Sequence, residues 1–272
     1  MKVKIYYLTF LLGFVSLISS VLYTKNYDGT WSAVVMILFS LFIPLSALLW
    51  RKKRLISFML ALFFTIIVVR NAGQHNWLLV GWITALTFIP LLIEAIIIFR
   101  DGIREYGTQA VALSFIRMVI GFNWLTHCTE KLFLSHHDAG LVGFFQNVVG
   151  VHTFGMVLSE QFAVSMIIVG GLVEFSSAIS LGFGFLTRAG AFISAIYLVA
   201  IELMSGHFGV GYTWMLPGGG WELPFYFFMV TIPFILPNTA GPLSLDQEWG
   251  IDSQPVLNKL SGVAAHSSRR NV

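Results

Sequence analysis

Runs of about twenty apolar residues recur from one end of this chain to the other, and no other feature constrains its fold so strongly. A segment of that length placed in hydrocarbon must satisfy every backbone N–H and C=O within itself, which makes it an α-helix. An outer-membrane barrel would instead show alternating segments of about ten residues. Composition agrees: 57% of the residues are hydrophobic and 11% charged, where soluble domains carry about 25% charged residues. The expectation is an all-α integral membrane protein with about eight transmembrane helices, over 5–23, 31–50, 55–69, 77–99, 110–135, 159–184, 189–209 and 221–237. The third is short and the eighth begins at a glutamate.

The basic residues orient these spans. With the N-terminus inside, the inner segments carry Lys2, Lys4, Arg51, Lys52, Lys53, Arg54, Arg100, Arg104, Arg188, Lys259, Arg269 and Arg270, whereas the outer segments carry only Lys25 and Arg70. That bias predicts both termini cytoplasmic, and the expected location of such a multi-pass protein is a bacterial cytoplasmic (inner) membrane. The 136–158 and 210–220 loops, free of Lys and Arg, then face out. Lys2 and Lys4 before an apolar stretch also fit a signal peptide, with Ile18-Ser19-Ser20 as a mediocre cleavage site; cleavage would remove one span and leave the rest oriented as before.

Some chemistries are excluded at once. A single cysteine, Cys128, permits no internal disulfide, no four-thiolate iron–sulfur cluster and no Cys-x-x-Cys pair. No phosphate loop, dinucleotide fingerprint or basic tract for nucleic acid is present. Histidines and carboxylates could bind a metal, but His127 and Glu130 form the only same-turn ligand pair and Lys131 beside them opposes a cation, so no metal is expected. Any redox chemistry needs an organic acceptor or a partner.

The chain divides near residue 108, after the polar connection Arg100–Gly107. Residues 1–108 form a four-helix membrane region poor in ionisable groups, read as packing or anchoring; there Glu94 reaches the interface or pairs with Arg100, and Pro44 and Pro90 kink their helices. Residues 109–250 hold nearly all the ionisable residues of the spans, and 251–272 form a cytoplasmic tail. At about 100° per residue, Arg117, Asn123, His127, Glu130 and Lys131 share one half of the fifth span. That half must face protein or a wet cavity, since charge facing lipid costs several kcal/mol. In the sixth span Glu174 lies near mid-membrane on a face with Gly171, Ala178 and Gly182, and it must be protonated or paired, with Arg117 nearest in depth. Glu202 and His207 close the seventh span; Trp214, Trp221 and Glu222 precede or begin the eighth. Helix pairing and the aromatic belt account for several of these groups individually. Taken together they describe an outward-opening polar pocket floored by Glu174 and Arg117.

Five stretches in order carry a family resemblance. "RMVIGFNWLTHCTEKLF" (117–133), "GGLVEFSSAISLGFGFLTRAGA" (170–191), "GHF" (206–208), "WELP" (221–224) and "GPLSLD" (241–246) resemble the DoxX/DoxD superfamily over about 110–246. The resemblance implies that the last four helices form a DoxX-like four-helix bundle, similar to the DoxD small subunit of thiosulfate:quinone oxidoreductase. By analogy Glu174, Glu130 and His127 become candidate catalytic groups. Arg117, Lys131, Glu202, His207, Trp214, Trp221 and Glu222 become candidate quinone- or substrate-binding groups. Quinone is then the expected cofactor, and a second oxidoreductase subunit or further copies of the chain the expected partners within the lipid bilayer. Two other readings stand beside it: a small-molecule or proton-coupled transporter, because buried acids and bases also mark proton relays, and a non-catalytic scaffold for a redox or envelope complex.

Overall fold

Each expected apolar run forms a helix in the computed structural model, which describes residues 5–209 and 221–263. The helices are α1 (Ile5–Leu22), α2 (Thr30–Leu48), α3 (Arg54–Gln74), α4 (Leu78–Ala85), α5 (Phe88–Tyr106), α6 (Thr108–Leu132), α7 (Ala139–Gly143), α8 (Glu160–Ser177), α9 (Thr187–Ser205), α10 (Glu222–Thr231), α11 (Leu245–Glu248) and α12 (Pro255–Ser261). No strand occurs among the described residues. Seven helical stretches are long and apolar enough to cross a membrane, and Glu222–Ile235 is a shorter apolar eighth. The chain is an all-α integral membrane protein that passes the membrane several times.

Two boundaries differ from expectation. The third span runs on to Gln74 and takes in Arg70, because a long arginine stem can stay in the apolar layer while its head reaches a polar partner. The fourth is interrupted at Leu86–Thr87, between α4 and α5; the Thr87 hydroxyl bonds the Thr84 carbonyl at 2.6 Å, occupying an acceptor that the helix would otherwise use.

The chain forms two compact units. The first comprises 1–112 and 125–136, the second 113–124 and 137–272, so the middle of α6 belongs to one and its ends to the other. In the first unit Met36 of α2, Val68 and Ala72 of α3, Trp77 at the start of α4 and Val80 within it form a core cluster, with Leu134 from beyond α6. Arg51 donates to Tyr6 and Tyr7, and Arg54 pairs with Asp101 at 3.1 Å, so one end of this unit is basic and aromatic. Tyr23, Tyr27, His75 and Trp77 make up the other end, in ring contact with one another.

In the second unit the connection after α6 is not an open loop. Asp138 caps α7 by accepting from the N–H groups of Gly140 and Leu141. A π-helical stretch, Phe144–Phe154, follows and packs Phe145 and Val149 against Ala163 and Ile167 of α8. Before α9, Leu186 holds the left-handed conformation at φ 50°, an uncommon state for a side-chain-bearing residue. Its N–H donates to both carboxylate oxygens of the buried Asp246, which hold it there.

Candidate functional site

The interior seam between α8 and α9 concentrates the polar groups of the second unit. Glu174 and Ser177 lie three residues apart on α8, and Ser194 and Tyr197 three apart on α9, so each pair shares a helix face. Tyr197 donates from its hydroxyl to Glu174 Oε1 at 3.0 Å. Gly170 makes this possible: a β-carbon there would stand 2.8 Å from the Tyr197 oxygen. The Trp124 ring sits edge-on to Tyr197 at 5.8 Å. Glu174 is only 3% exposed, and the Ser177 and Ser194 hydroxyls are buried with no hydrogen-bond partner among the described residues. Unsatisfied buried hydroxyls are costly, by about 1–3 kcal/mol each, and native proteins leave few of them.

Two turns beyond Ser194 on the same face, Glu202 is buried and its Oε2 is likewise without a partner. His207 Nδ1 is 4.0 Å from Glu202 Oε1, too far for a hydrogen bond. Burial therefore prevails at the imidazole and holds its pKa below the ordinary value of 6.5. Phe144 leans on the same ring at 5.8 Å, and His152 packs against Gly206. The seam is thus an acid–phenol pair in the apolar interior, with a second acid–imidazole pair at the end of α9.

Arg117 does not join it. Its guanidinium is fully buried and donates to the carbonyls of Ala240 and Leu181 at 2.8 and 2.6 Å, and to that of Leu243. The Asp246 carboxylate supplies the opposing charge. Gly184, at φ 70°, leaves the space, since a β-carbon would lie 2.3 Å from Arg117 Nη1. Sequence reasoning expected Arg117 beneath Glu174 as part of a substrate floor. The structure corrects this: five fixed N–H donors match several carbonyls better than one carboxylate, and three carbonyls, of Leu181, Ala240 and Leu243, converge on them.

The cluster of α6 divides as well. His127, Glu130 and Lys131 belong to the first unit, whereas Arg117, Glu174, Glu202, His207, Trp221 and Glu222 belong to the second. Glu130 accepts a short hydrogen bond from Gln74 Nε2, with Arg70 Nη2 at 4.0 Å. Lys131 is half-buried, and His127 is exposed rather than turned inward. A helix wheel gives the angle between side chains but not which face the neighbouring helices cover, and here they cover the Cys128 side. Trp221 caps α10 and Glu222 starts it, both half-buried, with the Trp221 ring 5.4 Å from Phe225. Trp214 lies outside the described residues. Among the described residues no group of three metal-ligating side chains comes together.

Tyr197, Ser177 and Ser194 were missed from the sequence. A tyrosine far from either end of a span, on the turn beside a serine, was the available signal. In comparisons with known proteins the chain matches no family model, no curated protein and no solved structure.

Proposed function

We propose that the protein is a membrane subunit of a quinone-linked oxidoreductase, and that the α8–α9 seam receives the quinone head group. The observation that carries this reading is the hydrogen bond from Tyr197 to Glu174, between two helices that also bury the Ser177 and Ser194 hydroxyls without a hydrogen-bond partner among the described residues. A quinone ring is flat and apolar with two carbonyl acceptors. It suits a slot with aromatic walls, here Trp124 and Tyr197, and a few hydroxyl donors, here Ser177 and Ser194.

Reduction of a quinone to its quinol consumes two electrons and two protons. In the reaction that the DoxX/DoxD resemblance implies, two thiosulfate ions lose one electron each and join as tetrathionate. With one buried cysteine, this chain would receive those electrons from a donor held by a partner subunit. Its own part would be to orient the quinone and deliver protons: from Tyr197 and Glu174 to one carbonyl oxygen, with Glu202 and His207 linking the seam to water. The lysine and arginine distribution supports placement in a bacterial cytoplasmic membrane with both termini inside and the Glu202–His207 end outward.

The test is titration of purified protein with a short-chain quinone, followed by tryptophan fluorescence. Tyr197→Phe and Glu174→Gln are expected to weaken binding about tenfold or more, equivalent to about 1.4 kcal/mol. Each variant is first shown to be folded by the protection of Cys128 from thiol reagents. Equal affinity in the wild type and both variants would sink the proposal.

A further inference from the structure

The first unit, which sequence reasoning treats as an anchor, is threaded by buried hydroxyls. Ser20 and Ser40 share a hydrogen bond of 2.7 Å, Ser40 and Ser16 are 3.5 Å apart, and Ser16 and Thr84 share one of 2.6 Å. The Thr87 hydroxyl bonds the Thr84 carbonyl at 2.6 Å and meets Thr65 at 3.1 Å. All six residues are fully buried. They gather where two helices are interrupted. Pro44 in α2 has no N–H for the Ser40 carbonyl, and Thr84 to Thr87 spans the break between α4 and α5.

Titratable groups lie beyond both ends of this track. Beyond Ser20, towards the aromatic end of the unit, the Tyr27 phenol oxygen is buried beside the Ser20 hydroxyl. Next to it in the chain, Asp28 Oδ2 lies 3.2 Å from His75 Nδ1. One helical turn before His75, Asn71 is fully buried, and neither of its side-chain polar atoms has a partner among the described residues. Towards the basic end, Thr9 donates to Glu94 Oε1 at 2.8 Å, with both residues buried. Arg54 is the cation whose field reaches Glu94.

Thr9 and Ser16 lie on one face of α1, two turns and about 10 Å apart. Between them is Gly13, where a β-carbon would stand 2.7 Å from Ile43 and 2.9 Å from Pro44. On α5 the residue between Thr87 and Glu94 is Leu91, 1% exposed. The hydrogen-bonded segments are therefore separated by one dry, closely packed layer.

We infer that the first unit is a gated proton relay, in which Glu94 exchanges a proton with the Ser16–Thr84 hydroxyl track across the Gly13–Leu91 layer and Asp28–His75 exchanges it at the far end. Hydroxyls that only bind helices together need no acid at one end and no acid–imidazole pair at the other. Along the track each hydroxyl releases its proton on one side as it accepts one on the other, so no bond order changes and no electron moves. The dry layer keeps the path from conducting continuously, and the Glu94 side chain is the element that must turn to cross it. This inference stands independently of the quinone reading.

The experiment uses the full chain in liposomes with an internal pH dye and an imposed potassium diffusion potential. Wild-type protein is expected to carry protons above the rate of protein-free vesicles. Glu94→Gln, which keeps a partner for Thr9, should lower that rate tenfold or more, and Thr84→Val should lower it several-fold while leaving Glu94 intact. Cys128, fully buried in the folded protein, should stay protected from thiol reagents in both variants, which shows that they are folded whether or not the protein binds quinone. No flux above protein-free vesicles, the wild-type rate in Glu94→Gln, or a flux that requires sodium and leaves the internal pH unchanged would each overturn the inference.

Discussion

His207 shows how burial outweighs a nearby charge. Glu202 would favour an imidazolium, yet at 4.0 Å it makes no hydrogen bond, and desolvation holds the pKa below 6.5. The unfolded chain therefore binds a proton that the folded one resists. Stability contributed here is present above about pH 6.5 and falls as the pH drops through that value, because stability rises with pH wherever the unfolded state holds more protons. Thermal unfolding in detergent, followed through Cys128, is expected to show a lower midpoint at pH 5.5 than at 7.5. His207→Gln should reduce that difference, and an unchanged pH dependence would show that His207 is not its source. Glu202 and the Ser177 and Ser194 hydroxyls illustrate the opposite case, buried polar atoms with no hydrogen-bond partner among the described residues.

The helices of the second unit are tied together by Arg117. From α6 it reaches the carbonyl of Leu181 at the end of the α8 stretch and those of Ala240 and Leu243 before α11. Asp246, at the start of α11, holds the turn into α9 through Leu186. Close packing adds to this, since a β-carbon on Gly121 of α6 would stand 1.9 Å from the backbone nitrogen of Gly182. Arg117→Met would leave three carbonyls and the Asp246 charge uncompensated in a dry interior. It is expected to cost on the order of 3 kcal/mol, read as faster labelling of Cys128, which is fully buried in the folded protein. Unchanged labelling would show that the clamp is dispensable. The first unit uses weaker, more numerous ties between helices, each hydroxyl pair contributing about 1 kcal/mol or less.

Across the whole chain, the orientation proposed for the seven long apolar helices and the shorter Glu222–Ile235 rests on the basic residues. In a Cys128→Ser background, Ala139→Cys, in the connection free of Lys and Arg, is expected to react with a membrane-impermeant thiol reagent in intact cells. Lys53→Cys should react only after the cells are opened. Reversed accessibility would invert the orientation and place the Glu202–His207 end of the seam on the cytoplasmic side.

What the sequence determined by itself was the approximate number and the helical nature of the spans. A run of twenty apolar residues has few alternatives in lipid, and hydropathy records that directly. It also marked Glu174 as a buried acid, since a carboxylate near mid-membrane stands out by type alone. The partners of the buried groups were decided only by the tertiary structure. Arg117 bonds to carbonyls that lie more than sixty residues away in sequence, Glu174 bonds to Tyr197, and Glu94 bonds to Thr9 rather than reaching Arg100. The same holds for the hydroxyl track of the first unit, whose serines and threonines are unremarkable one at a time. Partner choice depends on the order and rotation of packed helices, and these arise from contacts between segments that no single run of residues encodes.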